Sequence, residues 1–283
     1  MADYIHLADD YMYDDFRIAG IESTVIDASD AHWIVSNLGD RLNLYPVVVS
    51  DSAGVTLIGG TIDGQVPVDI SWEDAYVNSA AIFVRGTQGA VIRDWTITQV
   101  WDGIRIRGSD DFTIENVWVT KTRDDAIEND DGVSGTVRDS LFDRVFAGIS
   151  TADAKTLARS ADVITLDGVL IRMEGALYKG EVTHSSPFKV TDMSPAMKIY
   201  NSVIAIEDVR HAGRSRLELA WEKTVDASGN HFLNLSDDRL PKGYPLPPEG
   251  FTILEGEEAR AFWEDARSEW IAGRADAPRE SFR

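Results

Sequence analysis

The central part of the sequence repeats itself about every 22 residues. Four segments align without gaps, and their isoleucines lie 22, 23 and 22 residues apart, at Ile82, Ile104, Ile127 and Ile149. Each copy holds two or three short alternating strands broken by Gly, Asp or Asn, with no room for the helix of a βαβ unit. One such coil cannot bury its inward face, whereas stacked coils share a continuous core. The repeat therefore predicts an all-β chain folded as a right-handed parallel β-helix, which is a solenoid.

The two ends of such a solenoid need caps, because an open coil exposes apolar side chains and unpaired strand edges. We expect residues 1–45 to form an N-terminal cap, residues 46–240 the β-helix domain, and residues 241–283 a Pro-rich linker with a capping helix. The helix prediction rests on near-helical spacing of apolar side chains, at Ala259, Phe262, Trp263, Ala266 and Trp270. We expect this amphipathic helix to pack across the last coil.

Alternation along each strand decides which side chains leave the core. If the four isoleucines point inward, one outward column reads Phe83, Arg105, Glu128 and Ser150, and Lys189 extends it. The neighbouring column reads Arg85, Arg107, Asp130 and Ala152. A structural interpretation stacks Arg105 on Glu128 and Arg107 on Asp130 as ion pairs. A functional interpretation makes the charged members substrate-binding residues: Arg105, Arg107, Glu128, Asp130 and Lys189.

Three insertions interrupt the repeat, at residues 64–78, 172–187 and 207–216. Long loops on a rigid scaffold often carry function, although they also shield strand edges. The first two insertions supply four further candidates for substrate binding, which are Trp72, Tyr178, Lys179 and His184.

Asp102 and Asp125 occupy the same position on adjacent coils, directly before the small residues Gly103 and Ala126, and Asp124 lies beside them. Stacked carboxylates repel each other unless a proton, a cation or a basic side chain relieves the repulsion. A shared proton would separate their pKa values and provide an acid and a base at one pH. Strict alternation turns both carboxyl groups inward, so they reach the surface only if the chain bends before the two small residues. Turn capping is the structural alternative.

These aspartates lie in motifs that resemble the polygalacturonase-like glycoside hydrolases of the pectin-lyase-like β-helix superfamily. The segment from Val100 to Ile104 is similar to their Asn-Thr-Asp-Gly-Ile, and the segment from Asp124 to Ile127 is similar to their Asp-Asp-x-Ile. The resemblance implies hydrolysis of a polysaccharide, expected to be acidic. It also implies that Asp125 is the general acid and that Asp102 and Asp124 activate the attacking water.

The resemblance is incomplete on the next coil, where Ala147 stands at the position of the family's histidine. Only Lys189 remains of the family's Arg-x-Lys. A calcium-assisted polysaccharide lyase or uronate epimerase is therefore an alternative, with calcium bound by Asp125, Glu128 and Asp130 and with an arginine or Lys189 as the base. A non-catalytic glycan-binding protein is the third possibility. The hydrolase interpretation needs no cofactor.

Charge and composition exclude several other classes of protein. Lys and Arg number 27 against 48 for Asp and Glu, and a net charge of −21 would repel nucleic-acid phosphates. The chain has no cysteine, no histidine spacing typical of zinc sites and no apolar run that would span a bilayer. The acidic start of the sequence does not look like a signal peptide. Localisation stays open, because a secreted protein whose signal has been removed would look the same.

Overall fold

The computed structural model describes residues 3–152 and 161–276. The strands of the first half are β1 (Asp3–His6), β2 (Asp10–Met12), β3 (Phe16–Ala19), β4 (Thr24–Asp27), β5 (His32–Val35), β6 (Val47–Ser50), β7 (Thr56–Ile58), β8 (Thr61–Gly64), β9 (Ala80–Arg85), β10 (Val91–Arg93), β11 (Thr96–Thr98), β12 (Asp102–Arg107), β13 (Phe112–Glu115), β14 (Trp118–Thr120) and β15 (Asp125–Asn129).

The strands of the second half are β16 (Gly135–Arg138), β17 (Leu141–Val145), β18 (Ala147–Ser150), β19 (Val163–Asp167), β20 (Leu170–Met173), β21 (Ala176–Tyr178), β22 (Glu181–Thr183), β23 (Phe188–Lys189), β24 (Ala196–Tyr200), β25 (Val203–Ile206), β26 (Thr224–Ser228), β27 (Asn230–Asn234) and β28 (Phe251–Glu255). The helices are α1 (Trp72–Ala75), α2 (Arg214–Lys223) and α3 (Gly256–Asp276).

Except for β21 and β22, each of these strands pairs in parallel with the strand at the same place in a neighbouring coil. The strands therefore form three parallel sheets. The first sheet has the order β1-β4-β7-β10-β13-β16-β19-β24-β26. The second sheet has the order β2-β5-β8-β11-β14-β17-β20-β25-β27-β28, and the third sheet has the order β3-β6-β9-β12-β15-β18-β23. The predicted β-helix solenoid is confirmed by this arrangement.

The predicted alternation is confirmed in the third sheet. Ile104 pairs with Ile127, which pairs in turn with Ile149, and all three side chains lie in the core between the sheets. At the next position of each strand, where the side chain points away from the core, Arg105 pairs with Glu128, and Ser150 pairs with Lys189. The isoleucine repeat thus sets the register of the coils and, with it, the order of the outward column.

The coils extend further towards both ends than the sequence analysis expects. Residues 3–45 hold strands β1 to β5 of the three sheets instead of a separate cap, and Tyr11 and Phe16 pack against the common core. Strand β28 lies in the expected linker and pairs with β27. The repeat signal misses these coils because their apolar residues do not follow the spacing of the central isoleucines.

Helix α3 is confirmed as an element, and it contacts β27 and β28 at the last coils as expected, but it continues from there over earlier coils. It lies along the outer face of the second sheet, where Ala259 and Trp263 pack against Leu141, Leu170 and other apolar side chains that point away from the core. Near its C-terminal end, Arg274 donates hydrogen bonds to the carbonyl oxygens of residues 94 and 95, several coils away. The helix lies there because the outer face of this sheet is apolar and needs cover.

The three insertions lie on the same side of the solenoid, between the second and third sheets. The first contains α1, and the second contains the antiparallel hairpin of β21 and β22. The third leads into α2, whose Leu217 and Trp221 are buried where the next strand of the third sheet would lie. Among the helices within residues 3–152 and 161–276, none combines the length and the apolar character that crossing a membrane requires.

Candidate functional site

A bend in each coil brings Asp102 and Asp125 to the outer face of the third sheet. A Cβ on Gly103 would lie 2.8 Å from the Val119 side chain, and Ala126 is fully buried in the core. The positions of Gly103 and Ala126 therefore point inward, as do the isoleucines that follow them. Two consecutive inward residues reverse the alternation, so the preceding aspartates face outward as the functional interpretation requires.

Three carboxyl groups meet at this bend. One oxygen each of Asp102, Asp124 and Asp125 lies within 4.8 Å of the other two. The backbone N–H of Asp125 donates to Asp102 Oδ1 at 3.0 Å. Lys189 Nζ donates to Asp124 Oδ1 at 2.7 Å and to Asp125 Oδ2 at 2.9 Å. The ammonium thus joins the two neighbouring aspartates, whereas Asp102 makes no such contact.

Burial and mutual repulsion act on the protonation of this cluster. Burial and the neighbouring charges of Glu128, Asp124 and Asp125 raise the pKa of Asp102 well above its usual range. Burial and the charge of Asp124 also raise the pKa of Asp125, although Lys189 opposes that shift. Burial disfavours the Lys189 ammonium, but the carboxylates of Asp125 and Asp124 outweigh it and raise the pKa of Lys189. The cluster therefore favours a protonated carboxyl group beside a fixed cation.

Arg105 forms a second buried charge cluster at the edge of the first. It donates from Nε and Nη2 to the two oxygens of Asp130, both at 3.0 Å, and its Nε lies 3.2 Å from Glu128 Oε2. It also donates to the side-chain oxygen of Asn78. The predicted pairing of Arg105 with Glu128 is confirmed, but Asp130 pairs with Arg105 and not, as expected, with Arg107. The reason is that Asp130 follows the end of β15, where the strand alternation stops.

A cavity of about 550 Å³ lies over the carboxyl groups, bounded on one side by aromatic rings. We define the aromatic wall as Trp72, Tyr76, Trp101, Phe146 and Tyr178. Ring centroids lie 4.9 Å apart for Trp72 and Trp101, 5.2 Å for Tyr76 and Trp101, and 5.7 Å for Phe146 and Tyr178. Mutual packing fixes these rings and presents a broad apolar surface beside the acids.

Two insertions that are distant in the sequence build this wall together. Tyr178, on the hairpin, and Trp72 of α1 pack with nearly perpendicular rings, whose centroids lie 5.5 Å apart. The backbone N–H of Lys179 donates to Glu73 Oε1 at 2.9 Å. Trp101 and Phe146 contribute from the short turns in between, at the positions just before Asp102 and Ala147. The insertions that interrupt the repeat therefore complete the cavity.

The structure brings together most of the predicted site residues. The cavity is lined by Asp102, Asp124, Arg105, Glu128, Lys189, Trp72, Tyr178 and Lys179, with Asp125 directly below Lys189. Asp130 lies behind Arg105 and supports it. Arg107 is exposed and outside the lining of the cavity.

His184 lies inside the protein and not at the cavity, contrary to the expectation. Its side chain is fully buried, its Nδ1 lies 2.7 Å from the Ser185 carbonyl, and its Nε2 accepts the Asp208 N–H at 3.1 Å. The ring stacks on His211 with centroids 4.7 Å apart. Burial lowers the pKa of His184 to about 4. A neutral, fully bonded imidazole here supports the loop and does not replace the histidine missing at Ala147.

The calcium set expected for a lyase does not fit the structure. Glu128 and Asp130 are engaged with Arg105, and their carboxyl groups do not converge with Asp125. Among the described residues the converging oxygens belong to Asp102, Asp124 and Asp125, and Lys189 already donates to two of these groups. Calcium needs about six to eight oxygen ligands. The fixed ammonium supplies the positive charge that a bound cation would otherwise bring.

Sequence reasoning missed several lining residues of the cavity, which are Tyr76, Asn78, Trp101, Phe146, Ser185 and Arg216. Trp101 and Phe146 carry a signal, because each is a large aromatic residue directly before an aligned position of the repeat, at Asp102 and Ala147. The others lie on insertions, where no repeat indicates the direction of a side chain.

Comparison with known proteins gives one family and one solved structure. A family model described as "Right handed beta helix region" matches residues 13–162, just over half of the chain. A structure of the Streptococcus pneumoniae surface protein and adhesin PfbA shares 13% sequence identity, with a TM-score of 0.43, over 89% of this chain and 80% of that chain. This likeness concerns the fold alone. No curated protein matches the sequence, and the resemblance to polygalacturonase-like enzymes stays a prediction.

Proposed function

The chain belongs to the family of right-handed β-helix proteins, and we propose that it hydrolyses glycosidic bonds with Asp102, Asp124 and Asp125. One observation carries the proposal, which is the meeting of three carboxyl groups within 4.8 Å at the floor of a cavity. Glycoside hydrolysis needs a protonated carboxyl group beside a carboxylate. Burial raises the pKa of Asp102, and Asp124 beside it forms an ion pair with Lys189, so one site offers two differently held carboxyl groups.

Asp102 is the group best suited to donate the proton. It lines the cavity, its raised pKa keeps it protonated further towards neutral pH, and its carboxyl group does not contact the ammonium. The proton passes from Asp102 to the glycosidic oxygen as the bond between that oxygen and the anomeric carbon breaks. This assignment differs from the one that the resemblance implies, where Asp125 is the acid. Asp125 is outside the lining of the cavity and accepts a hydrogen bond from Lys189, which suits a positioning residue.

Asp124 is the group best suited to accept a proton from water. It also lines the cavity, and its Oδ1 accepts a 2.7 Å hydrogen bond from Lys189 Nζ, which fixes the orientation of the carboxyl group. The water oxygen bonds to the anomeric carbon, and Asp124 takes the released proton. The products together contain one added water, and exchange with solvent restores both carboxyl groups.

The charge state of the cations weighs against the lyase alternative. A lyase base must be neutral to remove a proton, whereas the raised pKa of Lys189 keeps it an ammonium. Burial disfavours the charged form of Arg105. The hydrogen bonds to Asp130 and the charge of Glu128 outweigh this effect and raise the pKa of Arg105 as well. Hydrolysis needs no base from Lys189 or Arg105, so both side chains can stay charged.

The direct test is mass spectrometry of products after incubation with a panel of neutral and acidic polysaccharides. We expect oligosaccharides whose masses include one added water per cleaved bond. Asp102→Asn and Asp124→Asn should each lower the rate by about 10²- to 10⁴-fold, because each removes a proton-transfer group. The matched control is Asp139→Asn, the same change at the turn between β16 and β17, which should leave the rate unchanged.

Other product masses would contradict the proposal. Products lighter by one water would indicate β-elimination, and the lyase alternative would replace hydrolysis. Failure to cleave any member of the panel, with folding verified by circular dichroism, would favour a glycan-binding protein. Equal losses in the Asp139→Asn control would show that the aspartate changes act through stability and not through chemistry.

A further inference from the structure

We propose that the sugar unit bound over the carboxyl groups is uncharged. This inference rests on the proposed function and names its substrate class, in place of the acidic polysaccharide that the resemblance implies. Three features support it: the two cations at the cavity floor are already paired with carboxylates, the floor has no net positive charge, and the aromatic wall offers an uncharged binding surface.

Both cations on the cavity floor already have carboxylate partners. Lys189 contacts Asp124 and Asp125, and its side chain is 12% exposed. Arg105 contacts Asp130 and Glu128, and its side chain is 10% exposed. A substrate carboxylate that paired with either cation would have to displace a protein carboxylate and leave that group buried without its partner. Such an exchange is unfavourable because a buried, unpaired charge is costly.

The carboxyl groups around these cations exceed them in number. Five acidic side chains stand against Lys189 and Arg105, which are Asp102, Asp124, Asp125, Glu128 and Asp130. Even with protons on Asp102, Asp125 and Glu128, whose pKa values are all raised, the floor has no net positive charge. An ionised uronate ring placed here would add an uncompensated negative charge in a poorly solvated site. The floor therefore disfavours an acidic sugar.

The aromatic wall provides attraction that needs no charge. Trp72, Trp101 and Tyr178 line the cavity and are held by ring-to-ring packing. The C–H face of a neutral sugar can stack on such rings while its hydroxyl groups bond to nearby polar side chains. Asn78, Ser150 and Ser185 line the same cavity and offer those partners. Aromatic rings beside polar groups that fix the orientation of a ligand are a common feature of small-molecule sites.

The remaining basic side chains of the cavity lie at its mouth. Lys179 and Arg216 line the cavity but are exposed, and the Lys179 ammonium sits 4.9 Å from the centre of the Tyr178 ring. Screening by salt weakens the attraction of such exposed charges. They can accommodate an acidic substituent at the rim, and they do not neutralise a carboxylate on the floor.

The test compares polymers that differ only in charge. The probes are uronate polymers and their carboxyl-reduced forms, which keep the backbone and linkage but carry a hydroxymethyl group in place of each carboxylate. Binding is followed by tryptophan fluorescence and by affinity electrophoresis at low salt, and cleavage is followed separately by mass spectrometry. We expect the reduced member of at least one pair to bind ten times more tightly or better, and salt should narrow the gap. Trp72→Ala should abolish the fluorescence change, whereas Tyr200→Ala, on the first sheet, should not.

The possible outcomes separate this inference from the proposed function. Neutral binding without cleavage would support the inference and overturn hydrolysis. Tighter binding or faster cleavage of the acidic member would overturn the inference, and cleavage with added water would leave hydrolysis standing. If no member of any pair binds or is cleaved, both are overturned.

Discussion

The ammonium group of Lys189 lies between two carboxylates of the proposed catalytic cluster. It donates hydrogen bonds to Asp124 and Asp125 and lowers the pKa of Asp125, while the carboxyl group of Asp102 makes no hydrogen bond to it. One cation therefore creates two kinds of carboxyl group within a few ångströms, one paired and one buried without a cation. At the residue scale, this difference is the physical basis of the proposed acid and base.

Replacing Lys189 should move the pH dependence of the reaction. In Lys189→Met the pKa of Asp125 loses the ammonium that lowers it and rises further. We expect the acidic limb of the pH–rate profile to move to higher pH, because Asp125 beside the base Asp124 then keeps its proton to higher pH, and we expect a lower maximal rate. Lys189→Arg keeps the charge and should restore much of the wild-type profile. An unchanged profile in Lys189→Met would show that the ammonium does not control the cluster.

Removing the buried acid should stabilise the protein at neutral pH. Because the folded-state pKa of Asp102 is raised, the native carboxyl group keeps a proton that the unfolded chain releases, and stability falls as pH rises through that folded pKa. Asp102→Asn cannot ionise, and its oxygen can still accept the Asp125 N–H. We expect a higher free energy of unfolding than wild type at pH 7.5, by about 1.4 kcal/mol per unit of pKa shift. At pH 4 the difference should vanish, as measured by denaturant titration. An equal difference at both pH values would refute this account.

His184 should make the protein sensitive to acid. Its pKa is lowered to about 4 by burial, so the stability it contributes is present above the unfolded pKa of about 6.5 and is lost as pH falls through 4. Protonation also removes the acceptor for the Asp208 N–H. We expect His184→Gln, which keeps an acceptor without titrating, to lose less stability than wild type between pH 6.5 and 4. Parallel losses in the two proteins would contradict the prediction.

At the scale of elements, the repeat predicts what stacks in register and misses what does not. Arg105, Glu128 and Lys189 could be aligned because each occupies a fixed place after a core residue. The hydrogen bond from Lys189 to Asp125 could not be predicted, since it depends on the bend at Gly103 and Ala126. The aromatic wall could not be predicted from the sequence either. It forms where two insertions without the repeat meet, through the contact of Glu73 with Lys179.

The position of α3 shows the same limit. Its apolar spacing is evident in the sequence, and the helix was predicted from it. The surface that it covers is assembled from single outward residues of separate coils, which are Leu141, Leu170, Val203 and Leu233. Insertions of unequal length separate these residues in the chain, so no local pattern reveals that the outer face of the second sheet is apolar.

Truncating the centre of α3 should reduce stability without changing the site. Trp263 is 1% exposed and packs on the outer face of the second sheet. We expect Trp263→Ala to lower the free energy of unfolding by about 3–5 kcal/mol. The catalytic rate should stay unchanged below the unfolding temperature. Glu264→Ala, an exposed neighbour on the same helix, is the control and should change stability little. A small effect of the tryptophan change would place the helix off the sheet.

At the scale of the whole molecule, the net charge of −21 opposes a compact state. Raising ionic strength from 0.01 to 0.15 M shortens the screening length from about 30 to about 8 Å, which weakens this repulsion. We therefore expect the melting temperature to rise with NaCl over this range, measured by scanning calorimetry. A sucrose series serves as the uncharged control. A flat or falling melting temperature in NaCl would indicate that attractive surface pairs outweigh the repulsion.

The contact of α3 with the second sheet ties the length of the helix to the number of coils. Arg260, Arg267 and Arg274 are spaced seven residues apart and bond to groups on successively earlier coils. A coil advances the solenoid by about 4.8 Å, and a helical residue advances by about 1.5 Å, so one coil matches roughly one helical turn. Within the stretch that the helix spans, from β11 to β27, a descendant of this protein could therefore gain or lose a coil only if the helix changed by about a turn at the same time. The length of the helix therefore constrains how the number of coils beneath it can change in evolution.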